Sequence, residues 1–234
     1  MDKLKELSLF FPAYNEEANL ERTVEKAIPV LKKVAGKYEI VIVDDGSKDR
    51  TGEIADRLAK KYSFIRVIHN CPNRGYGGAM QTGWYSGKFE WIAFTDADGQ
   101  FDFAEIIKFI EKQKETNADL VIGYYLKRAA SQTTILTSKI WELLVFLFFG
   151  LKATDIDCGF KMVKRKVIET IPRLESERGP FITSELLIKA KKAGFKFAEV
   201  GVHHYPREGG QATGRQLKII FSGLLDLIRL RLKM

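Results

Sequence analysis

Two carboxylates, one residue apart, follow a strongly apolar segment of the chain. The residues Trp91–Thr95 predict a buried strand, and Asp96 and Asp98 come directly after it. In an open α/β sheet, ligands bind in the crevice outside the carboxyl ends of the strands. A divalent cation bound to a diphosphate would neutralise both side chains there. An ordinary turn is the competing interpretation, because Asp and Gly are common turn residues.

Further carboxylates follow two earlier predicted strands. Glu16 comes after an apolar strand at residues 7–11, and Asp44 and Asp45 come after a second at residues 38–43. Because the carboxyl ends of parallel strands share one edge of a sheet, we expect these side chains and the first pair to form one site. Glu16 and Asp44 could then accept hydrogen bonds from a base or a ribose. Helix capping is the alternative, although a cap does not require two adjacent carboxylates.

The elements that must position these residues alternate between apolar strand patterns and helical patterns. This alternation predicts an α/β fold with a mostly parallel central sheet and helices on both faces. The strand that ends before Asp96 covers residues 90–95 in full, and the other predicted strands cover residues 64–69, 119–122, 159–163 and 196–202. The predicted helices cover residues 16–34, 49–61, 103–114, 140–149, 183–193 and 215–232, with a further helix start inside residues 75–87. Residues 124–138 read as a polar and basic stretch.

Composition places the chain among globular proteins. Its 234 residues are 45% hydrophobic and 29% charged, and no linker-like stretch divides them, so one domain is favoured. The net charge of +8 implies an anionic partner. The basic residues are scattered and not interleaved with aromatic residues, which argues against nucleic acid.

The cysteines and the amino terminus indicate a reducing compartment. Cys71 and Cys158 lack the spacing of a zinc site, although a single bridge between them stays open. The first residues carry no signal-peptide pattern, so we expect the protein in the cytoplasm. The glycine-rich segment Asn73–Ala79 lacks the full dinucleotide-binding fingerprint and predicts a tight loop, in which Arg74 is available to a phosphate or to a structural carboxylate.

Six short motifs, taken together, resemble a known family over nearly the whole chain. Four of them resemble the nucleotide-sugar-binding half of family 2 glycosyltransferases with the GT-A fold: Phe11–Glu16, Val43–Asp49, Asn73–Gly75 and Asp96–Gln100. Two later motifs are similar to the polyprenyl-phosphate branch of that family: Asp155–Lys161 and His204–Gly210. This branch contains the dolichyl-phosphate mannose and glucose synthases and bacterial undecaprenyl-phosphate glycosyltransferases. The resemblance implies a Rossmann-like GT-A domain at residues 1–214 and a carboxyl-terminal amphipathic helix at residues 215–234.

The resemblance also implies roles for residues in the donor site. The nucleotide diphosphate would be held by Mg²⁺ or Mn²⁺, with Asp98 and Gln100 at the cation and Asp96 directed toward the cation or the nucleotide. A second group of residues falls at positions that hold the base and the ribose: Pro12, Tyr14, Glu16 and Asp44. The cation would offset charge on the departing diphosphate. The donor is linked to GDP or UDP, and the identity of its sugar stays open.

Residues of the second half are expected near the acceptor. Arg207 matches an arginine that contacts phosphate, and Lys127 and Arg128 are placed to meet an acceptor phosphate, unless they belong to a solvated basic loop. Asp155 and Asp157 lie where a catalytic base would be if the acceptor were a sugar hydroxyl. With a lipid phosphate, which is already an anion, they would orient a sugar hydroxyl or hold the loop.

The function that follows from the resemblance is inverting transfer of a hexose from a nucleotide sugar to a polyprenyl phosphate. Transfer to a saccharide hydroxyl by the same fold, and a non-catalytic nucleotide-sugar-binding module, are the alternatives. Residues 140–149 are too short to span a bilayer but are unusually apolar, and residues 215–232 form a basic amphipathic pattern. We therefore expect peripheral attachment at the cytoplasmic face of a membrane. Core packing of the first segment and docking of the second onto the domain or a dimer partner are the alternatives, and the oligomeric state stays open.

Overall fold

A computed structural model of the protein describes residues 3–127, 132–177, 179–207, 209 and 217–233. The strands are β1 (Leu4–Ala13), β2 (Ala35–Asp44), β3 (Ile65–His69), β4 (Trp91–Thr95), β5 (Leu120–Lys127), β6 (Phe160–Lys164) and β7 (Phe197–His203). The helices are α1 (Leu20–Val34), α2 (Thr51–Lys61), α3 (Gly75–Ser86), α4 (Ile106–Thr116), α5 (Gln132–Phe149), α6 (Arg165–Thr170), α7 (Phe181–Lys192) and α8 (Leu217–Lys233). A 3-10 turn at Phe103–Glu105 precedes α4.

The strands form one mostly parallel sheet in the order β3-β2-β1-β4-β6-β5-β7, which confirms the predicted fold class. β1 is parallel to β2 and to β4, β2 is parallel to β3, and β5 is parallel to β7. β6 lies between β4 and β5 and is antiparallel to both. The carboxyl ends of β1, β2 and β4 therefore share one edge with the amino end of β6.

The core has two parts, one on each face of the sheet. Leu9 and Phe11 of β1 pack in the part that is covered by α1, α2 and α4, whereas Phe10 packs in the part that is covered by α3 and α7. This alternation follows from the period of two along a strand. The ring of Phe10 lies edge-on to Trp84 at 4.9 Å, and Gly83 makes that approach possible because a Cβ there would lie 2.1 Å from the Phe10 ring.

Several elements extend beyond or differ from their predicted limits. β5 continues to Lys127 because the end of β7 extends the ladder beside it. α5 begins at Gln132, inside the stretch that reads as polar and basic. The predicted helix began later, at residue 140, because the first turns of α5 lack an apolar periodic pattern. The short helix α6 was not predicted. Cys71 and Cys158 are both free thiols, so no bridge joins them.

The carboxyl-terminal helix that the sequence predicts is present as α8. α8 buries Leu227 and Leu230, while Leu225 and Ile228 are each 40% exposed. Apolar residues surround most of this helix, so periodicity alone could not select the stripe that faces α7. Over the residues that the structure describes, no helix combines the length and the apolar character that crossing a membrane requires.

Candidate active site

Arg207 joins the ends of two strands. Its Nη1 donates to Glu16 Oε1 at 3.0 Å and its Nη2 donates to Asp98 Oδ2 at 2.9 Å. Glu16 follows β1 and Asp98 follows β4, and both carboxylates are buried. Burial raises the pKa of Glu16, although the hydrogen bond from Asn19 and the charge of Arg207 oppose that shift. The predicted gathering of carboxylates at one sheet edge is therefore present, with a guanidinium between them.

Gln100 holds the segment that carries Arg207. Its side-chain amide donates to the carbonyl of Tyr205 at 2.9 Å, and the Tyr205 amide donates back to the Gln100 carbonyl at 2.9 Å. The backbone amide of Gln100 also donates to Asp98 Oδ1 at 3.0 Å. In this arrangement Gln100, which we expected at the cation, connects the β4 edge with the segment after β7.

Asp96 is partly buried beside Tyr76 and Gly159. A hydrogen bond from the Tyr76 hydroxyl reaches Asp96 Oδ1 at 3.5 Å. Gly159 leaves room for the carboxylate, because a Cβ there would lie 2.2 Å from Asp96 Oδ2. Burial, and next the charge of Asp98, raise the pKa of Asp96 to about 8. The position thus favours a cation that would keep this carboxylate ionised.

The two aspartates suit a divalent cation that arrives with a diphosphate. Among the residues described, no three His, Cys, Asp or Glu side chains are grouped to hold a metal on their own. Mg²⁺ commonly binds through one or two carboxylates together with substrate phosphates, so Asp96 and Asp98 fit such an ion. Arg207 Nε is buried and lacks a hydrogen-bond partner within the described structure, so its N–H is available to donate to a ligand.

Asp44 and Asp45 have different surroundings. Asp44 accepts from the Ser47 amide at 3.1 Å and lies 2.8 Å from His69 Nδ1. Asp45 instead accepts from Asn70 Nδ2 at 2.8 Å and from the backbone amide of Arg74 at 3.1 Å. Asp45 therefore holds the loop after β3, while Asp44 stays at the edge where the base and ribose are expected.

Pro12 and Tyr14 lie beside Asp44 at the end of β1. Pro12 lies opposite Val43 in the ladder, and Tyr14 is partly buried just after the strand. The next residue, Asn15, has a left-handed backbone with φ of 56°. Its amide donates to Ser47 Oγ at 3.0 Å, which ties the loop after β1 to the loop after β2.

The glycine-rich segment packs against another loop. A Cβ on Gly77 would lie 2.4 Å from the carbonyl oxygen of Ser176, and the Gly78 amide donates to the Glu177 carbonyl at 2.7 Å. Arg74 forms a 2.8 Å ion pair with the Glu177 carboxylate. Of the two partners expected for Arg74, the structure shows the structural carboxylate.

Asp155 and Asp157 precede β6, and the antiparallel direction of β6 brings them to the same sheet edge. Asp155 Oδ1 accepts from the Asp157 amide at 3.0 Å, which holds the turn. Lys161, in β6, is fully buried and donates to the carbonyls of Ile156 at 3.0 Å and of Cys158. Burial lowers the pKa of Lys161. Lys161 was not predicted as a site residue, although a lysine inside an apolar strand is a signal in the sequence.

The two cations expected at the acceptor are not equally defined. Lys127 is exposed at the end of β5, opposite His203 of β7. Arg128 lies outside the described residues. His69 and Tyr76 were also not predicted, because the contacts of His69 with Asp44 and of Tyr76 with Asp96 depend on strand register and helix packing.

Comparisons with known proteins identify the family. The model of glycosyl transferase family 2 matches residues 8–171. Dolichyl-phosphate beta-glucosyltransferase of Homo sapiens is 31% identical over 228 residues, which cover 88% of this chain and 69% of that protein. Glycosyltransferase AglD of Haloferax volcanii is 30% identical over 208 residues, covering 86% of this chain and a third (33%) of that longer protein.

A solved structure shares the fold. Glucosyl-3-phosphoglycerate synthase from Mycobacterium tuberculosis, solved in complex with Mn²⁺, UDP and glucosyl-3-phosphoglycerate, has a TM-score of 0.71 and 19% sequence identity. The match covers 97% of this chain and 80% of that chain. The family model spans most of the sequence, and the human relative is matched over more than two thirds of its length. The chain therefore belongs to glycosyl transferase family 2.

Proposed function

We propose that this protein is an inverting transferase that moves a hexose from a nucleotide diphosphate sugar to a polyprenyl phosphate. The observation that carries the proposal is Arg207, a phosphate-binding type of side chain held between Glu16 and Asp98 at the ligand-binding edge of the sheet. Relatives named dolichyl-phosphate beta-glucosyltransferase support a lipid phosphate acceptor and favour glucose over mannose.

The donor occupies the edge formed by β1, β2 and β4. Its base and ribose contact four residues in the loops after β1 and β2: Pro12, Tyr14, Glu16 and Asp44. Mg²⁺ or Mn²⁺, held by Asp96 and Asp98, would supply positive charge to the departing diphosphate. Gln100 keeps the Arg207 segment against this edge, and its contact with Tyr205 supports that positioning role.

The acceptor approaches from the second half of the chain. A lipid phosphate is already anionic at neutral pH, so the reaction needs orientation and cations rather than a base. Those cations are Arg207, Lys127 and Arg128. Arg207 is paired with Glu16 and Asp98, and it binds the phosphate when the ligand enters beside these two carboxylates. Asp155 and Asp157 orient a sugar hydroxyl, and the hydrogen bond within their turn supports a fixed geometry.

Residues 1–214 form the catalytic domain, and α5 and residues 215–234 attach it to a membrane surface. α5 exposes a row of large apolar side chains: Ile135, Leu136, Ile140, Leu143, Phe146, Leu147 and Phe148. Lys139 and Lys152 flank this apolar face, the latter with its ammonium 5.6 Å from the centre of the Phe146 ring. Such a mixture of apolar and basic side chains suits an interface with anionic lipids.

A transfer assay tests the proposal. The protein is incubated with Mn²⁺, a short polyprenyl phosphate and, in turn, labelled UDP-glucose, GDP-mannose and UDP-N-acetylglucosamine, and the organic phase is counted. We expect lipid-linked label with one donor and a loss of about a hundredfold in Asp98→Asn. Asp102→Asn is the matched control, since Asp102 accepts from the Ala104 amide at 2.9 Å and an Asn preserves that cap. Label that enters a soluble saccharide, with none in the lipid, would overturn the lipid acceptor.

A further inference from the structure

We propose that His69 is a positioning residue for the donor: as an imidazolium it holds the Asp44 carboxylate in the orientation that receives the base or ribose, so nucleotide affinity depends on pH. The inference deepens the proposed function and rests on its donor site.

The register of β2 and β3 places the two side chains together. Asp44 and His69 are paired in the parallel ladder, and His69 Nδ1 lies 2.8 Å from Asp44 Oδ2. The other ring nitrogen, Nε2, lies 3.1 Å from Asp56 Oδ1. A neutral imidazole donates from one nitrogen, whereas the imidazolium donates from both. Because both nitrogens face carboxylate oxygens, this geometry selects the imidazolium.

The charges around the His69 ring also favour the imidazolium. Two elements pack against β3 here, β2 and α2, and each contributes one carboxylate that faces the ring, Asp44 and Asp56 respectively. The hydrogen bond that His69 donates to Asp44 raises the pKa of His69, against the effect of burial, and the hydrogen bond to Asp56 adds to the rise. The imidazolium is therefore present at and below the usual histidine range and is lost as pH rises through the raised value.

The Asp44 carboxylate is held on more than one side. Its Oδ1 accepts from the Ser47 amide at 3.1 Å, and its Oδ2 faces His69. Gly52 of α2 brings backbone close to the same oxygen, since a Cβ there would lie 2.9 Å from Oδ2. Asp44 is 5% exposed, so loss of the imidazolium would leave a buried carboxylate without its charged partner. Reorientation of Asp44 would then weaken its contact with the nucleotide.

Binding of UDP, and separately of GDP, in the presence of Mn²⁺ tests this inference. Dissociation constants are measured calorimetrically between about pH 5.5 and 8.5. At the acid end we expect the wild type to bind its preferred nucleotide about five- to tenfold more tightly than His69→Gln, and at the alkaline end we expect the two affinities to be equal. Taking the ratio of wild type to variant removes the titration of the nucleotide itself.

Two further variants separate positioning from a general structural effect. Asp56→Asn keeps an acceptor for Nε2 but removes its charge, so the midpoint of the pH dependence should move to lower pH. His203→Gln is the matched control: His203 also ends a strand with Nδ1 2.8 Å from a carboxylate, that of Glu105, but lies away from Asp44. It should keep the wild-type profile. Nitrogen-detected NMR of the wild-type imidazole follows the same titration without any variant.

The outcomes distinguish this inference from the proposed function. Parallel pH profiles for the wild type and His69→Gln, or an unshifted midpoint in Asp56→Asn, would overturn the role of His69 while leaving transfer activity intact. The expected profiles without any transferred sugar would support His69 and overturn the proposed transfer. A wild type that binds neither nucleotide overturns both.

Discussion

Replacement of Arg207 by methionine should lower the free energy of unfolding by about 3 kcal/mol at about pH 7.5. Arg207 makes hydrogen bonds of 3.0 and 2.9 Å to two carboxylates that are each 10% exposed, and its own side chain is 20% exposed. A hydrogen bond to a charged group contributes about 1.5–3 kcal/mol, so two give about 3–6 kcal/mol. Partial rehydration of the abandoned carboxylates favours the lower end. Methionine preserves much of the apolar stem and so isolates the loss of charge.

The destabilisation should depend on pH. The charge of Arg207 lowers the pKa of both Glu16 and Asp96, so its removal raises those values further. A carboxyl group whose pKa is higher in the folded than in the unfolded state lowers the free energy of unfolding at pH values where it is ionised, and this loss disappears when the group is protonated. The difference between wild type and variant should therefore shrink as pH falls, first through the raised pKa of Asp96 at about 8 and then through the raised pKa of Glu16. Between about pH 7.5 and pH 5 it is mainly the Glu16 part that changes.

Urea unfolding followed by circular dichroism at about pH 7.5 and pH 5 measures both effects. Arg57→Met is the matched control, because Arg57 forms a 2.9 Å ion pair with Glu21 but is mostly exposed, and surface pairs contribute little. A loss below about 1 kcal/mol at the higher pH, or one that grows on acidification, would refute the assignment of Arg207 as the counter-charge of this edge.

Three other perturbations have defined outcomes. Gly83→Ala should lower the free energy of unfolding by about 2 kcal/mol or more in urea titrations, because its Cβ would overlap the Phe10 ring; an unchanged value would contradict that packing. Glu39→Gln should lower it by about 2 kcal/mol at neutral pH. Burial alone would raise the pKa of Glu39, but its hydrogen bonds, led by that from Arg66, lower it, so the deficit should vanish as pH falls below the glutamate range. Leu143→Glu should reduce co-sedimentation with phosphatidylglycerol vesicles without lowering the melting temperature, and undiminished binding would exclude the α5 face as the attachment surface.

Much of the fold was predictable because its signals are local. The apolar run at Trp91–Thr95 and its abrupt end at Asp96 depend on neighbouring residues alone, and the structure has a strand with those limits. Strand partners are not local. The sequence of Phe160–Lys164 does not indicate whether this strand runs parallel or antiparallel to its neighbours. Its antiparallel pairing with β4 depends on how the whole second half of the chain packs.

The candidate site shows the same division. Glu16 and Asp98 were expected on one edge and Arg207 at a phosphate, and the structure brings Arg207 into direct contact with both carboxylates. The side-chain direction of Gln100 and the contact of His69 with Asp44 were not predictable, since one depends on the returning chain after β7 and the other on the register of two strands. Their roles toward a donor remain our proposals.

The position of β6 also has a mechanical consequence. Within the described structure, β5 follows β4 along the chain but pairs with β6 and β7, so β6 connects a four-stranded segment (β3-β2-β1-β4) to a two-stranded one (β5-β7) through its two ladders. Five residues thus form a seam, across which the loop of Asp155 meets Asp96. Opening of this seam would separate the two halves of the site while leaving the first four strands paired.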